Sequence, residues 1–158
     1  VLLKCAVHKR VSMATKIYFA ASIRGGRQDA HIYSKIVALL KNYGKVMTEH
    51  VGDVNLTDEG EYDPAVGDKK IHDRDIGWIR ESNVLVAEVT QPSLGVGYEL
   101  GRAATFGTRI LCLFRPMSGK RLSGMIRGAD DGQKFVVKDY EHIEEVERIL
   151  KEFFSEPT

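Results

Sequence analysis

Apolar residues fall into five short β-prone runs, at Ile17 to Ala21, Val46 to Thr48, Val84 to Val89, Ile110 to Phe114 and Phe135 to Val137, and helical patterns separate or follow them. Gln28 to Tyr43 places Ile32, Ile36, Leu39, Leu40 and Tyr43 at i, i+4, i+7, i+8 and i+11, the stripe of an amphipathic helix that ends at Gly44. A second helix is predicted over Asp68 to Glu81. A last one spans about His142 to Phe154, where Ile143, Val146, Ile149, Leu150 and Phe153 recur at helical spacing. The continuous apolar character of Val84-Leu85-Val86-Ala87 and Ile110-Leu111-Cys112-Leu113-Phe114 suits strands covered on both faces, as in a parallel sheet. The pattern predicts an α/β fold, a three-layer, doubly wound, five-stranded parallel sheet of Rossmann or flavodoxin-like type. With strand order 2-1-3-4-5, ligands bind beyond the ends of strands one and three, and those ends carry the two most unusual loops of the chain.

Composition narrows the function classes. The 158 residues, 43% of them hydrophobic, suffice for one core. Lys and Arg number 23 against 22 Asp and Glu, and a net charge of +1 provides no electrostatic footprint for a nucleic-acid polymer or a membrane. No apolar run approaches the roughly 18 residues of a membrane span. Cys5 and Cys112 have neither metal-ligand spacing nor the density of a disulfide scaffold, so a cytoplasmic location is expected, with the nucleus as a second candidate. Met13 lies four residues before the first strand; residues 1–12 are set aside from the fold, and 1–15 are expected to be a disordered leader to a single domain over 16–158. Gly52 to Gly67 is polar and acidic, too long for a simple connector, and is expected to be a mobile surface loop or lid.

Chemistry concentrates in three segments. Gln91 to Gly101 carries Gly95, Gly97 and Gly101 and delivers Glu99 onto a helix start after an apolar strand; Glu99 is then either a charged nucleophile or a carboxylate that complements the helix dipole. Ser22-Ile23-Arg24-Gly25-Gly26-Arg27, after strand one, offers a hydroxyl, a guanidinium and glycine amides, for which phosphate is the natural guest, although it is neither a Walker A loop nor Gly-x-Gly-x-x-Gly. On the helix from Asp68, with Ile71 as origin, Asp75 falls in the apolar stripe beside Trp78 and Ile79 while Asp73 points away. A carboxylate there must be paired, hydrogen-bonded or aimed into a polar cleft, whether as a loop anchor or as a reacting group. Ser93, Ser118 and Ser123 lie on loops and Arg115 directly follows strand four; His31, His50, His72 and His142 show no metal spacing and are read as surface or structural.

In order along the chain, Tyr18-Phe19-Ala20-Ala21-Ser22-Ile23-Arg24-Gly25-Gly26, Ile71-His72-Asp73-Arg74-Asp75 and Glu88-Val89-Thr90-Gln91-Pro92-Ser93-Leu94-Gly95-Val96-Gly97-Tyr98-Glu99-Leu100-Gly101 resemble the 2'-deoxynucleoside 5'-phosphate N-hydrolases, within the wider nucleoside 2-deoxyribosyltransferase family. Leu111 to Pro116 and Met125 to Ala129 continue the match, with Ala21 standing where a Gly is common. The resemblance implies hydrolysis of a deoxynucleoside 5'-monophosphate to free base and 2-deoxyribose 5-phosphate, without metal or organic cofactor. It implies Glu99 as nucleophile with a covalent deoxyribosyl intermediate, Asp75 assisting the departing base, and Tyr18 orienting nucleophile and sugar. Ser22, Ile23, Arg24, Gly25, Ser93 and Gly95 would bind the substrate around its 5'-phosphate. Ser123 and Met125 would reach the neighbouring site of a homodimer.

On this reading Glu99 is expected to be ionised at a helix N-terminus, and Asp75 in apolar surroundings to hold a proton near neutrality. The rival functions are a deoxyribosyltransferase with a base as second acceptor, and a nucleotide-binding sensor without turnover.

Overall fold

A computed structural model describes residues 14–57 and 67–156. The strands β1 (Lys16–Ala20), β2 (Lys45–Val46), β3 (Val84–Glu88), β4 (Arg109–Phe114) and β5 (Phe135–Asp139) form one sheet in the order β2-β1-β3-β4-β5, all neighbours parallel. The helices are α1 (Ala30–Leu40), α2 (Gly67–Glu81), α3 (Leu94–Phe106), α4 (Gly124–Arg127) and α5 (Ile143–Ser155). This is the doubly wound sheet expected from the apolar runs. Every residue of β3 and β4 is buried, as strands covered on both faces require.

Alternation along the strands sorts side chains into two cores. Ile17, Phe19, Val84, Val86, Leu111 and Leu113 pack with α1 and α5, and Tyr18, Ala20, Leu85, Ala87, Ile110 and Cys112 pack on the other face with residues of α2 and α3. α5 carries the predicted stripe, with Val146, Ile149, Leu150 and Phe153 buried.

Several boundaries differ from expectation for local reasons. α1 ends at Leu40 rather than Tyr43, and Gly44 is not a left-handed cap: a Cβ there would lie 2.1 Å from the carbonyl oxygen of Thr15, so the glycine admits a crossing backbone. Thr15, assigned to the leader, is already tied to the sheet, its carbonyl accepting from the Lys45 N–H at 2.8 Å. β2 is shorter than predicted because Thr48 substitutes a side chain for the ladder: its hydroxyl accepts from the Phe19 N–H at 2.9 Å and donates to the Phe19 carbonyl at 2.7 Å. Of the expected lid, residues 58–66 lie outside the described residues. Its beginning is pinned: Arg27 donates to the carbonyls of Val51, Asp53 and Leu56 at 2.9, 2.5 and 3.1 Å.

Candidate active site

The switch point between β1 and β3 opens into a cavity of about 630 Å3, within the range that takes a small organic ligand. Its walls combine Tyr18 of β1, the loop residues Ile23, Arg24 and Gly25, Asp68, Ile71, His72 and Asp75 of α2, and Ser93, Gly95 and Glu99 at the start of α3. Three long-range segments thus meet in one space. Gly25 is required by close approach: a Cβ would stand 2.5 Å from the Pro92 carbonyl oxygen and 2.7 Å from Ser22 Oγ, so the loop after β1 lies directly against the loop after β3.

Ser93 is the N-cap of α3, its Oγ accepting from the Val96 N–H at 3.4 Å. That bond uses a lone pair and leaves the hydroxyl proton available to an acceptor. Leu94 and Gly95 stand in the first turn of α3 at the cavity wall, where backbone N–H groups lack carbonyl partners within the helix and favour an anion. Arg24 supplies a positive charge, here at 3.3 Å from Asp68, with both side chains more than half exposed.

Glu99 lies in the second turn of α3, not at its N-terminus, so the expectation that helix-end amides keep it ionised is not met. Its partner is Tyr18, whose hydroxyl donates to Glu99 Oε1 at 2.6 Å across the sheet–helix boundary. Burial pushes the Glu99 carboxyl up to about 7, the Tyr18 hydrogen bond opposes this, and the charge of Asp75 adds to it. Burial, with the Glu99 and Asp75 charges beside it, drives the Tyr18 phenol well above its usual range, so Tyr18 stays a donor.

Asp75 faces the cavity from α2, its side chain 20% exposed. The purely apolar surroundings expected for it are corrected by Arg74, whose Nε donates to Asp75 Oδ1 at 2.9 Å and whose guanidinium lies 4.6 Å from the Trp78 ring centroid. Asp73 does point away, toward Lys69 at 2.6 Å.

A family model for nucleoside 2-deoxyribosyltransferase matches residues 17–146. The chain belongs to that family. Among its relatives, a zebrafish (Danio rerio) protein named 5-hydroxymethyl-dUMP N-hydrolase is 61% identical over 139 residues, covering 88% of this chain and 95% of the relative. A human (Homo sapiens) protein of the same name is 56% identical over 139 residues, covering 88% and 79%. A CMP N-glycosidase from Clostridium botulinum, BcmB, shares the fold at TM-score 0.65 and 18% identity, covering 88% of this chain and 99% of that one.

In this member of the nucleoside 2-deoxyribosyltransferase family, eight of the sequence-predicted site residues line the one cavity: Tyr18, Ile23, Arg24, Gly25, Asp75, Ser93, Gly95 and Glu99. Ser22 does not line it; the residue is fully buried beneath Gly25 and its hydroxyl has no hydrogen-bond partner among the described residues. Ser123 and Met125 lie elsewhere, in a second groove that shares Pro92, Ser93, Leu94 and Val96 with the first cavity. Gly97 and Gly101 do not line the cavity, and a Cβ on either meets nothing within 4 Å.

His50 and His72, read as surface or structural, also line the cavity. His72 lies three residues before Asp75 and therefore on the same helix face, a signal available in the sequence. Its Nε2 is 3.0 Å from the Tyr98 hydroxyl, linking the helix of Asp75 to the helix of Glu99.

Proposed function

We propose that this chain hydrolyses the N-glycosidic bond of 2'-deoxynucleoside 5'-monophosphates, 5-hydroxymethyl-dUMP among them, giving the free base and 2-deoxyribose 5-phosphate through a covalent intermediate on Glu99. The observation that carries the reading is the pairing, in one cavity, of a carboxylate held by Tyr18 with an anion-binding corner formed by Arg24, Gly25, Ser93 and the start of α3. The identity to relatives named as N-hydrolases supports the reaction and the substrate class.

In the first step an ionised Glu99 oxygen attacks C1', and the electron pair of the C1'–N bond leaves with the base, which takes a proton from Asp75. In the second, water attacks C1', the ester to Glu99 breaks, and the water proton passes to Asp75. Splitting one displacement in this way is the logic of retaining glycosidases. Tyr18 holds Glu99 Oε1, leaving the other carboxylate oxygen to attack, and by donating keeps the proton affinity of the carboxyl from rising further. Arg24, the Ser93 hydroxyl and the amides near Gly25 and Gly95 bind the 5'-phosphate, and the buried Ser22 hydroxyl has unused bonding capacity beside them. In a homodimer Ser123 and Met125 complete the neighbouring site; the strong exposure of Leu94 and Met125 along one groove supports an apolar contact there.

The test is chromatography of deoxynucleoside monophosphates incubated with the protein, with and without a second free base. Release of base and deoxyribose phosphate is expected, together with poor use of the unphosphorylated nucleoside, because binding donors would be left without partners. A new deoxynucleotide on adding base would replace hydrolysis by transfer, and no release from any nucleotide would leave a binding protein. Sedimentation should show a dimer; a fully active monomer would remove Ser123 and Met125 from the site.

A further inference from the structure

Behind the cavity, on the α1 and α5 side of the sheet, stands a second ionic cluster, none of whose residues lines the cavity. Glu88, the last residue of β3, is fully buried. Its carboxylate accepts from the Thr90 hydroxyl, from the Tyr140 hydroxyl at 3.0 Å and from the Thr90 N–H at 3.3 Å. Arg115, directly after β4, has Nε 3.8 Å from Glu88 Oε1, while its Nη2 forms an ion pair with Asp29, the residue preceding α1. The Arg115 main-chain N–H also donates to Thr90 Oγ1 at 2.9 Å. One guanidinium therefore joins the ends of β3 and β4 to the start of α1.

Those attachment points bracket the anion-binding loops. Asp29 closes the segment that begins at Ser22 and contains Arg24 and Gly25; Thr90 opens the segment that ends at Ser93. The two loops meet at Gly25 with no space for a Cβ, and Gln91 Nε2 donates to the Gly25 carbonyl at 2.6 Å. A small shift of the α1 start against the β3 end must therefore change the separation of Arg24 from Ser93. Only a long, branched donor can address two carboxylates that lie in different directions, which lysine does less well.

We propose that Arg115 is a positioning residue for the 5'-phosphate: held between Glu88 and Asp29, it sets the spacing of the two anion-binding loops and thereby substrate affinity, without contacting substrate. The inference rests on the phosphate assignment proposed above.

The experiment measures kcat and KM for 5-hydroxymethyl-dUMP, and Ki for 2-deoxyribose 5-phosphate, in the full chain and its Arg115→Met, Arg115→Lys, Glu88→Gln/Arg115→Met and Arg24→Ala variants, together with Tm. Arg115→Met is expected to raise KM and Ki together by about tenfold, with kcat within about threefold and the acid limb of the pH profile unmoved. Arg115→Lys should recover part of that affinity. The double variant removes the fully buried charge left at Glu88, though not that of Asp29, so it should regain part of Tm but not KM or Ki. Wild-type KM and Ki in Arg115→Met, or recovery of affinity along with Tm in the double variant, would reduce Arg115 to a stability role and overturn the proposal. If Arg24→Ala weakens binding while Arg115→Met does not, the Arg115 inference alone fails. If Arg24→Ala leaves KM and Ki unchanged, the phosphate assignment falls, and the inference with it.

Discussion

Glu88 and Glu99 are both carboxylates withdrawn from water against the same sheet, on opposite faces, and burial raises the pKa of each. Glu88 has three hydrogen-bond donors and the Arg115 cation beside it, and no exposed surface. Among the described residues Glu99 has one donor, Tyr18, a like charge nearby in Asp75, and a cavity in front of it. A raised proton affinity is therefore common to the structural carboxylate and to the one proposed to react. What separates them is unused bonding capacity facing open space: a carboxylate with both oxygens engaged and no space before them holds elements together, and one left a free oxygen at a cavity can form a bond.

The sharpest break between the two is expected from removing each charge with little change of shape. Glu99→Gln should lower kcat on the order of a thousandfold or more, read as base release by chromatography, whereas Glu88→Gln should stay within about tenfold in kcat. Comparable losses in both would erase the distinction. Asp75→Asn should lower kcat on the order of a hundredfold, with the smallest loss on substrates whose base departs most easily without a proton; a uniform loss would argue for positioning alone.

The proton affinities predict a pH profile. With Glu99 near 7 in the free protein and the ionised form required for attack, kcat/KM should fall as pH drops below about 7. Tyr18→Phe removes the bond that lowers the Glu99 value, so the acid limb should move to higher pH, with a several-fold loss of kcat/KM at pH 7. A limb that stays in place would detach Tyr18 from the proposed role of Glu99.

The smallest effect expected is on stability. Folded Glu99 titrates near 7 against an ordinary 4.5, so the folded chain holds an extra proton between those values, and stability falls as pH rises through that window. Glu99→Gln should therefore stabilise the fold above pH 7 by on the order of 2 kcal/mol, after allowing for solvent contact in the cavity, and by little near pH 4. Denaturant unfolding at the two pH values measures this; an equal change at both would mean that the charge is not the cause.

Much of this site was legible because its signals are local. The loop Ser22 to Arg27 and the run Gln91 to Gly101 each carry their polar groups within a few residues, and the helical wheel separates Asp75 from Asp73 by face alone. The wheel shows which face a residue occupies and not what it meets, so the Arg74 cation beside Asp75 was missed. Tyr18 reads from pattern as one more apolar strand position; its bond to Glu99 spans 81 residues, and only the family resemblance pointed to it. Glu88 reads as the end of a strand, and its tie to Tyr140 spans 52. The assignment of Glu99 to a helix start failed by one turn, because the Ser93 cap sets where α3 begins.

By itself the sequence determined the order of strands and helices, the two loops at the switch point and the residue types able to bind an anion and attack a carbon. Hydrophobic periodicity and short-range turn chemistry carry that information directly. The tertiary structure alone decided which of the two glutamates, Glu88 or Glu99, faces a cavity, which cation stands beside Asp75 and how closely the loops meet at Gly25. Those depend on distances between segments far apart in the chain, and burial with specific partners, not residue type, sets whether a carboxylate holds the fold together or is left free to react.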